Sequence, residues 1–235
     1  MKEMSSVVEE YTDNSVMLIA TRERKKIQQK RMYMFFKRGI DVCAGIVGSI
    51  FAIPIWGIIK ISYMLNKDFA PVIFKQKRIG KDGKEFSLYK FRSMVVNADD
   101  VLREMLKEDK ELAKEYRIYK KMHNDPRITK CGKFLGKTSL DEMPQFFNVL
   151  RNDMSLIGNR PYLVREKEDM GEYVKDILET KPGLTGMWQV SGRSETTFEE
   201  RLEIESKYSN IISFKTDMQI LFQTIKVVIL KKGAK

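Results

Sequence analysis

Apolar and polar positions fall into three regimes along the chain. Residues 42–59 carry no charged side chain over eighteen positions and are rich in Ile, Val, Ala and Phe. At that length a membrane-inserted helix competes with a buried core helix. Residues 1–31 begin polar and acidic, with Glu9, Glu10 and Asp13, hold one short apolar patch from Val16 to Ala20, and read as a flexible or helical tail. The apolar run starts too far into the chain for an ordinary signal peptide.

Beyond residue 66 the pattern becomes that of a globular domain. Val72-Ile73-Phe74 and Phe86-Ser87-Leu88-Tyr89 predict two strands, and Asp82-Gly83 between them is a hairpin turn signal. Apolar Val101, Met105, Leu112, Tyr116 and Tyr119 predict one long amphipathic helix over 97–122, ended by Asn124-Asp125-Pro126. Further helices are expected over 140–150, 164–180, 197–209 and 216–232, with a glycine-punctuated loop from Pro182 to Gly192. The last helix ends in Lys231-Lys232 and suits either core packing or an interfacial position. The expected class is α+β, mostly helical.

Charge sharpens the picture. The net +11 suits anionic partners, whether nucleic acid, acidic lipid headgroups or phosphorylated substrates. Residues 21–38 hold Arg22, Arg24, Lys25, Lys26, Lys30, Arg31, Lys37 and Arg38 against Glu23 alone, and Lys60, Lys67, Lys75, Lys77 and Arg78 follow the apolar run. A spanning segment should be basic on its cytoplasmic side only. Pro54, in the second half of the run, removes a helix hydrogen bond and crowds the preceding turn. A helix that dips in, bends at Pro54 and returns puts both basic flanks on one face, so a re-entrant segment is preferred to a spanning one. No base-stacking or recognition-helix motif is present, which argues against nucleic acid. Cys43 and Cys131 lack the spacing of a disulfide framework or zinc site. His123, in His-Asn-Asp-Pro, reads as a turn residue.

Candidate chemistry begins at Ser139-Leu140-Asp141-Glu142. One reading is a capping box in which Ser139 caps a helix and Glu142 reaches back, although Pro144 then falls in the second turn. The other is a carboxylate nucleophile with an acidic partner, with Lys137 four residues ahead of Asp141 to hold a phosphoryl group. Arg160 stands between backbone punctuators in Gly158-Asn159-Arg160-Pro161. The stretch from Pro182 to Arg193, with three glycines, two hydroxyls, Gln189 and Arg193, looks like a loop whose backbone approaches an anion, and matches no Walker or Rossmann pattern.

Taken in order, Phe74–Gly80, Tyr89-Lys90-Phe91-Arg92-Ser93-Met94, Asp125–Thr129, Thr138–Gln145, Asn148–Leu150, Gly158–Pro161 and Pro182–Arg193 resemble the bacterial sugar transferases known as monotopic polyprenyl-phosphate phosphoglycosyl transferases. The resemblance runs from about Met34 to Lys232. It implies a tail over 1–31, a re-entrant helix–break–helix over 32–66 with the break at Pro54, and a catalytic domain over 67–235 with a β-hairpin and amphipathic interface helices. It implies residence at the cytoplasmic face of the cell membrane, a UDP-sugar donor, an undecaprenyl phosphate acceptor, Mg²⁺, and a role in capsule or exopolysaccharide synthesis; a homodimer is compatible with it. By the same analogy Asp141 attacks the sugar-bearing phosphorus and expels UMP, and Glu142 assists or binds the metal together with Asp141. Lys90, Arg92 and Arg160 neutralise phosphates, Lys137 contributes a further phosphate contact, and Gln189 and Arg193 line the nucleotide side.

The chain departs from the family pattern at four places. Ile53 precedes Pro54 where Ser is frequent, Gly136 stands where an arginine is frequent five residues before the nucleophile, Gly-Asn-Arg-Pro replaces Gly-Pro-Arg-Pro, and Glu205 takes the place of a late-helix aspartate. Gly136 keeps open the alternative of a catalytically silent, membrane-docked homologue that binds a lipid or partner.

Overall fold

In the computed structural model the apolar run lies in one long helix, α1 (Lys2–Leu65), which contains Pro54 without interruption of the helical run. Loss of one donor and displacement of one carbonyl leave the rest of the hydrogen-bond ladder free to continue on both sides. Residues 2–122, 125–191 and 196–229 are described, with side chains described at Gln28 and over 31–227 of these. The turn at His123-Asn124, Gly192, Arg193 and the terminal Lys231-Lys232 lie outside the described residues. By its backbone contacts the chain divides into Met1–Gly39 and Ile40–Lys235. The portion Arg31–Leu65 of α1 is long and apolar enough to cross a membrane.

From Ile40 onward, one face of α1 packs on the globular part. Asp41 accepts hydrogen bonds from the Ser155 hydroxyl at 3.0 Å and the Leu156 N–H at 2.8 Å. A Cβ on Gly45 would sit 2.8 Å from Leu150 Cγ, and one on Gly48 would fall on the Phe146 ring, so both positions need glycine for the helix to approach. Ile59 and Tyr63 then join Val72, Phe91 and Leu135 in a core cluster. The opposite face, including Ile46, Val47, Ile50, Phe51, Ile53, Ile58 and Ile61, is exposed.

The hairpin forms as expected and is longer. β1 (Ile73–Ile79) and β2 (Glu85–Phe91) pair antiparallel from Ile73–Phe91 to Ile79–Glu85, and β4 (Tyr162–Leu163) adds to the other edge of β1. The turn carries Asp82 and Gly83 at positive φ, as Asp-Gly favours. β3 (Ser155–Ile157) and β5 (Gly183–Thr185) form a separate parallel pair.

Three expected helices are broken up, and the one over 140–150 is helical only from Gln145, after a 3₁₀ turn at Leu140–Glu142. The 97–122 helix is α2 (Ala98–Glu108) and α3 (Lys110–Tyr119), because Asp109 leaves helical geometry and caps α3 through the N–H groups of Glu111 and Leu112. The 164–180 helix is two 3₁₀ pieces and a short α6 (Val174–Leu178), since Gly171 takes a φ of 53° inside it. α4 (Lys130–Thr138) starts at a Thr129 cap behind the bidentate Arg127–Asp125 pair. α8 (Phe198–Ile211) opens on a Thr197–Glu200 capping box, and α9 (Phe214–Ile229) ends the described chain.

Candidate active site

The acidic pair does not form a capping box. α4 ends at Ser139, whose left-handed φ of 56° turns the chain sharply, and Ser139 makes no side-chain cap. Leu140–Glu142 form one 3₁₀ turn, and Pro144 precedes α5 (Gln145–Leu150), which removes the objection that proline would break it. Glu142 reaches out to Lys90 instead. Lys90 Nζ lies 3.0 Å from Glu142 Oε1 and 3.7 Å from Asp141 Oδ2. Burial raises the Asp141 pKa, Lys90 pulls it down, and the neighbouring Glu142 charge raises it again.

Asn148 fixes the acidic turn against the strand that carries Lys90. Fully buried on α5, its carboxamide accepts from the Tyr89 N–H at 3.0 Å and donates to the Ser87 carbonyl at 2.7 Å. The side chain thus occupies the hydrogen-bonding edge of β2 where another strand would pair.

A small cavity opens beside Glu142, lined by Arg78, Lys90, Glu142, Gln145, Arg160 and Gln189 among others, while Asp141 stands behind Lys90 and is not among the lining residues. Four of the residues singled out in the sequence meet there: Lys90, Glu142, Arg160 and Gln189. Sequence reading missed Arg78 and Gln145. Arg78 sat in the quoted Phe74–Gly80 motif but was counted only as a basic flank, although its strand position aims it inward. Burial and the nearby Arg160 charge push its pKa down to about 10. It donates to the Pro161 carbonyl at 2.9 Å and to Gln76 at 2.5 Å. Arg160 lies over Trp188, 5.3 Å from the ring centroid, and Arg201 lies over the same ring at 4.3 Å.

Two other expected ligands sit elsewhere. Arg92 is buried; it donates to Asp68 at 2.8 Å and to the Pro71 carbonyl at 3.0 Å, and it covers the Tyr63 ring at 4.5 Å. The Tyr63 hydroxyl donates to the Arg92 carbonyl. Arg92 therefore ties the end of α1 to the end of β2 and is not among the residues lining the cavity. Lys137 is exposed on α4, also outside that lining, and Gly136 beside it faces open space. Arg193 lies outside the described residues. Gly183 and Gly186 are required by a backbone contact: a Cβ at either would collide with the Gly158 backbone, and Gly183 also lines the cavity. They let the β5 strand close on the loop that carries Arg160.

Asn159 and Glu205, two departures from the family pattern, hold that loop. The Asn159 amide donates to Ser209 at 2.7 Å, and Glu205 accepts from the Arg160 N–H at 3.0 Å. Glu205 is fully buried, and desolvation lifts its pKa to about 7 against the pull of that N–H and the two guanidinium groups. A larger cleft of about 700 Å³ between α3 and α8 contains none of the described candidate residues.

The bacterial sugar transferase family model matches residues 32–231. The undecaprenyl-phosphate galactose phosphotransferase of Salmonella typhimurium is 44% identical over 205 residues, 87% of this chain and 43% of the relative. The exopolysaccharide production protein ExoY of Rhizobium meliloti is 36% identical over 84% of this chain and 87% of its own length. The UDP-glucose:undecaprenyl-phosphate glucose-1-phosphate transferase of Escherichia coli is 34% identical over 84% of this chain and 41% of its own length. The chain thus spans less than half of some of these curated relatives and most of ExoY. With the match covering the α1 segment, the acidic turn and the Arg160 loop alike, the chain belongs to the bacterial sugar transferase family.

Proposed function

We propose that the chain transfers a sugar-1-phosphate from a UDP-sugar to undecaprenyl phosphate and so starts a capsule or exopolysaccharide unit. The observation that carries this reading is the Lys90 bridge to Asp141 and Glu142 at the edge of a cavity lined by Arg78 and Arg160. A carboxylate nucleophile sits beside cations suited to a diphosphate.

In the first step an Asp141 carboxylate oxygen attacks the sugar-bearing phosphorus. The bond from that phosphorus to the bridging oxygen breaks, and UMP leaves with the oxygen. In the second step an oxygen of undecaprenyl phosphate attacks the same phosphorus, the Asp141–phosphorus bond breaks, and the carboxylate is restored. Lys90 favours the ionised form of Asp141 and orients it, Arg78 and Arg160 take the diphosphate charge, and Gln189 faces the nucleotide. Among the described residues no third acid joins Asp141 and Glu142. Two carboxylates with the remaining positions left to water and substrate phosphate suit Mg²⁺. Bound there, the ion would shield the repulsion between the carboxylate and the anionic donor.

The proposed position on the cytoplasmic face of the membrane is supported by the anchoring of α1. Asp41 at one end of the apolar run and Tyr63 at the other are both tied to the same globular unit. A helix crossing a hydrocarbon core about 30 Å thick would carry one end away from that unit. A re-entrant insertion keeps both of these ends on one side.

UMP release by nanodisc-held protein, given Mg²⁺, undecaprenyl phosphate and UDP-sugars beginning with UDP-galactose and UDP-glucose, tests the reading. Lipid-dependent release that Asp141→Asn abolishes is expected. Silence across the panel from folded protein would favour the catalytically silent homologue, for which the bare surface at Gly136 is the supporting observation.

A further inference from the structure

Three buried nitrogen donors around one cavity have no hydrogen-bond partner among the described residues: Arg78 Nε, Gln145 Nε2 and Arg160 Nε. The two guanidinium groups are accounted for by the proposed chemistry, which requires cations at a diphosphate. Gln145 is not. It is neutral, 2% exposed, and stands at the first position of α5, three residues beyond Glu142.

A buried amide donor left unpaired carries its full desolvation penalty. A methionine of similar length would fill the same space without that cost, so packing does not explain a glutamine here. Such orphaned donors persist where a ligand completes them. The neighbouring charges also favour a neutral donor. Lys90, Arg78 and Arg160 already share the cavity, and a fourth cation would add repulsion in the empty site. An acid would repel the donor phosphates. A carboxamide supplies an N–H to a phosphate oxygen with neither penalty.

We infer that Gln145 is a substrate-contacting residue, its carboxamide N–H donating to a non-bridging oxygen of the donor diphosphate beside Arg78 and Arg160. This rests on the proposed transferase reading. Because the donor diphosphate exists only until UMP leaves, the contact serves the UMP-releasing step and not the arrival of the lipid acceptor.

The test uses the full chain in nanodiscs, as wild type, Gln145→Met and Gln145→Glu. Thermal unfolding is followed with and without UDP, and with inorganic phosphate, beside UMP release at varied donor and acceptor. Gln145→Met is expected to unfold at or above the wild-type temperature without ligand, yet to keep less than half of the UDP-induced shift. Its kcat/KM for the UDP-sugar should fall about 10- to 100-fold, the worth of one hydrogen bond to a charged group. Gln145→Glu keeps the shape, reverses the donor, and should lose both the UDP shift and turnover.

A Gln145→Met protein that unfolds earlier, with its UDP shift intact, would make the glutamine structural and overturn the inference. So would kcat/KM within about threefold of wild type, or a defect confined to saturation by undecaprenyl phosphate. A wild type that binds UDP but turns over no donor would sink the transferase reading instead. The UDP shifts of the three proteins would still decide the role of Gln145.

Discussion

Glu205 accepts the backbone N–H of Arg160 at 3.0 Å, while Ser209, one turn further along α8, accepts the side-chain amide of the adjacent Asn159 at 2.7 Å. One helix therefore grips two consecutive loop residues, the first by its side chain and the second by its backbone. Proline, frequent in the family at position 159, could make no such bond. Here the rigidity of a ring is replaced by an amide held between α8 and the Ile177 carbonyl, 3.3 Å away.

The buried carboxyl in this contact should be visible in the pH dependence of stability. Burial raises the folded-state pKa of Glu205 from 4.5 to about 7. The folded protein then binds this proton more tightly than the unfolded chain does. The associated stability is fully present below pH 4.5 and lost as pH rises through 7. Urea unfolding of wild type should weaken over that window relative to Glu205→Gln, by up to about 3 kcal/mol. Parallel profiles for the two proteins would contradict the assignment.

Lys90 should set the acidic limit of turnover. It lowers the Asp141 pKa against burial and the Glu142 charge. In Lys90→Met that pull is gone, so Asp141 stays protonated to higher pH and is a poorer nucleophile. The acid limb of the kcat/KM profile for UMP release should move upward in pH, with a loss at neutral pH of about 10²-fold or more. An unmoved limb would mean that Lys90 acts on substrate alone.

Much of this fold is legible in the sequence, and the misses have definite causes. The hairpin was readable because Asp82-Gly83 marks a positive-φ turn between two apolar runs. The breaks at Asp109 and Gly171 were missed because apolar periodicity continues through both, while a capping side chain and a single left-handed glycine decide the local geometry. Arg92 and Arg160 look alike as motif arginines. Only the tertiary partners separate them, since Asp68 and Tyr63 occupy the first and the cavity receives the second. The glycines at 183 and 186 suggest an anion cradle in the sequence, whereas their close approach to the Gly158 backbone, 25 and 28 residues away in the chain, is visible only in the fold.

Arg92 should behave as a structural residue. Its guanidinium pairs with Asp68, the Pro71 carbonyl and the Tyr63 ring, so truncation leaves Asp68 without its partner and a cavity in a packed joint. Arg92→Ala should cost about 1–3 kcal/mol of stability, through the lost hydrogen bonds and packing and not through Asp68, which is partly exposed, with the KM for donor in the folded fraction unchanged. Arg160→Ala should show the reverse, a raised KM with a smaller loss of unfolding temperature. A donor KM defect in Arg92→Ala at full stability would return Arg92 to the phosphate site.

The approach of α1 to α5 gives the last prediction. Gly48 leaves room for the Phe146 ring, and Phe146 lies four residues after Glu142 on the segment that carries the acidic turn. In Gly48→Ala the added methyl group must displace that ring, an overpacking that costs about 1–3 kcal/mol. Because α5 is also pinned to β2 by Asn148, the strain cannot be relieved by sliding the helix, and it should reach the Lys90–Glu142 geometry. Turnover should therefore fall along with the unfolding temperature. Phe146→Leu in the same chain vacates the space that the methyl needs. The double variant should recover stability beyond the sum of the single effects, a coupling of about 1 kcal/mol in a double-mutant cycle. Strict additivity would show that the two residues do not meet, and that the acidic turn is positioned independently of α1.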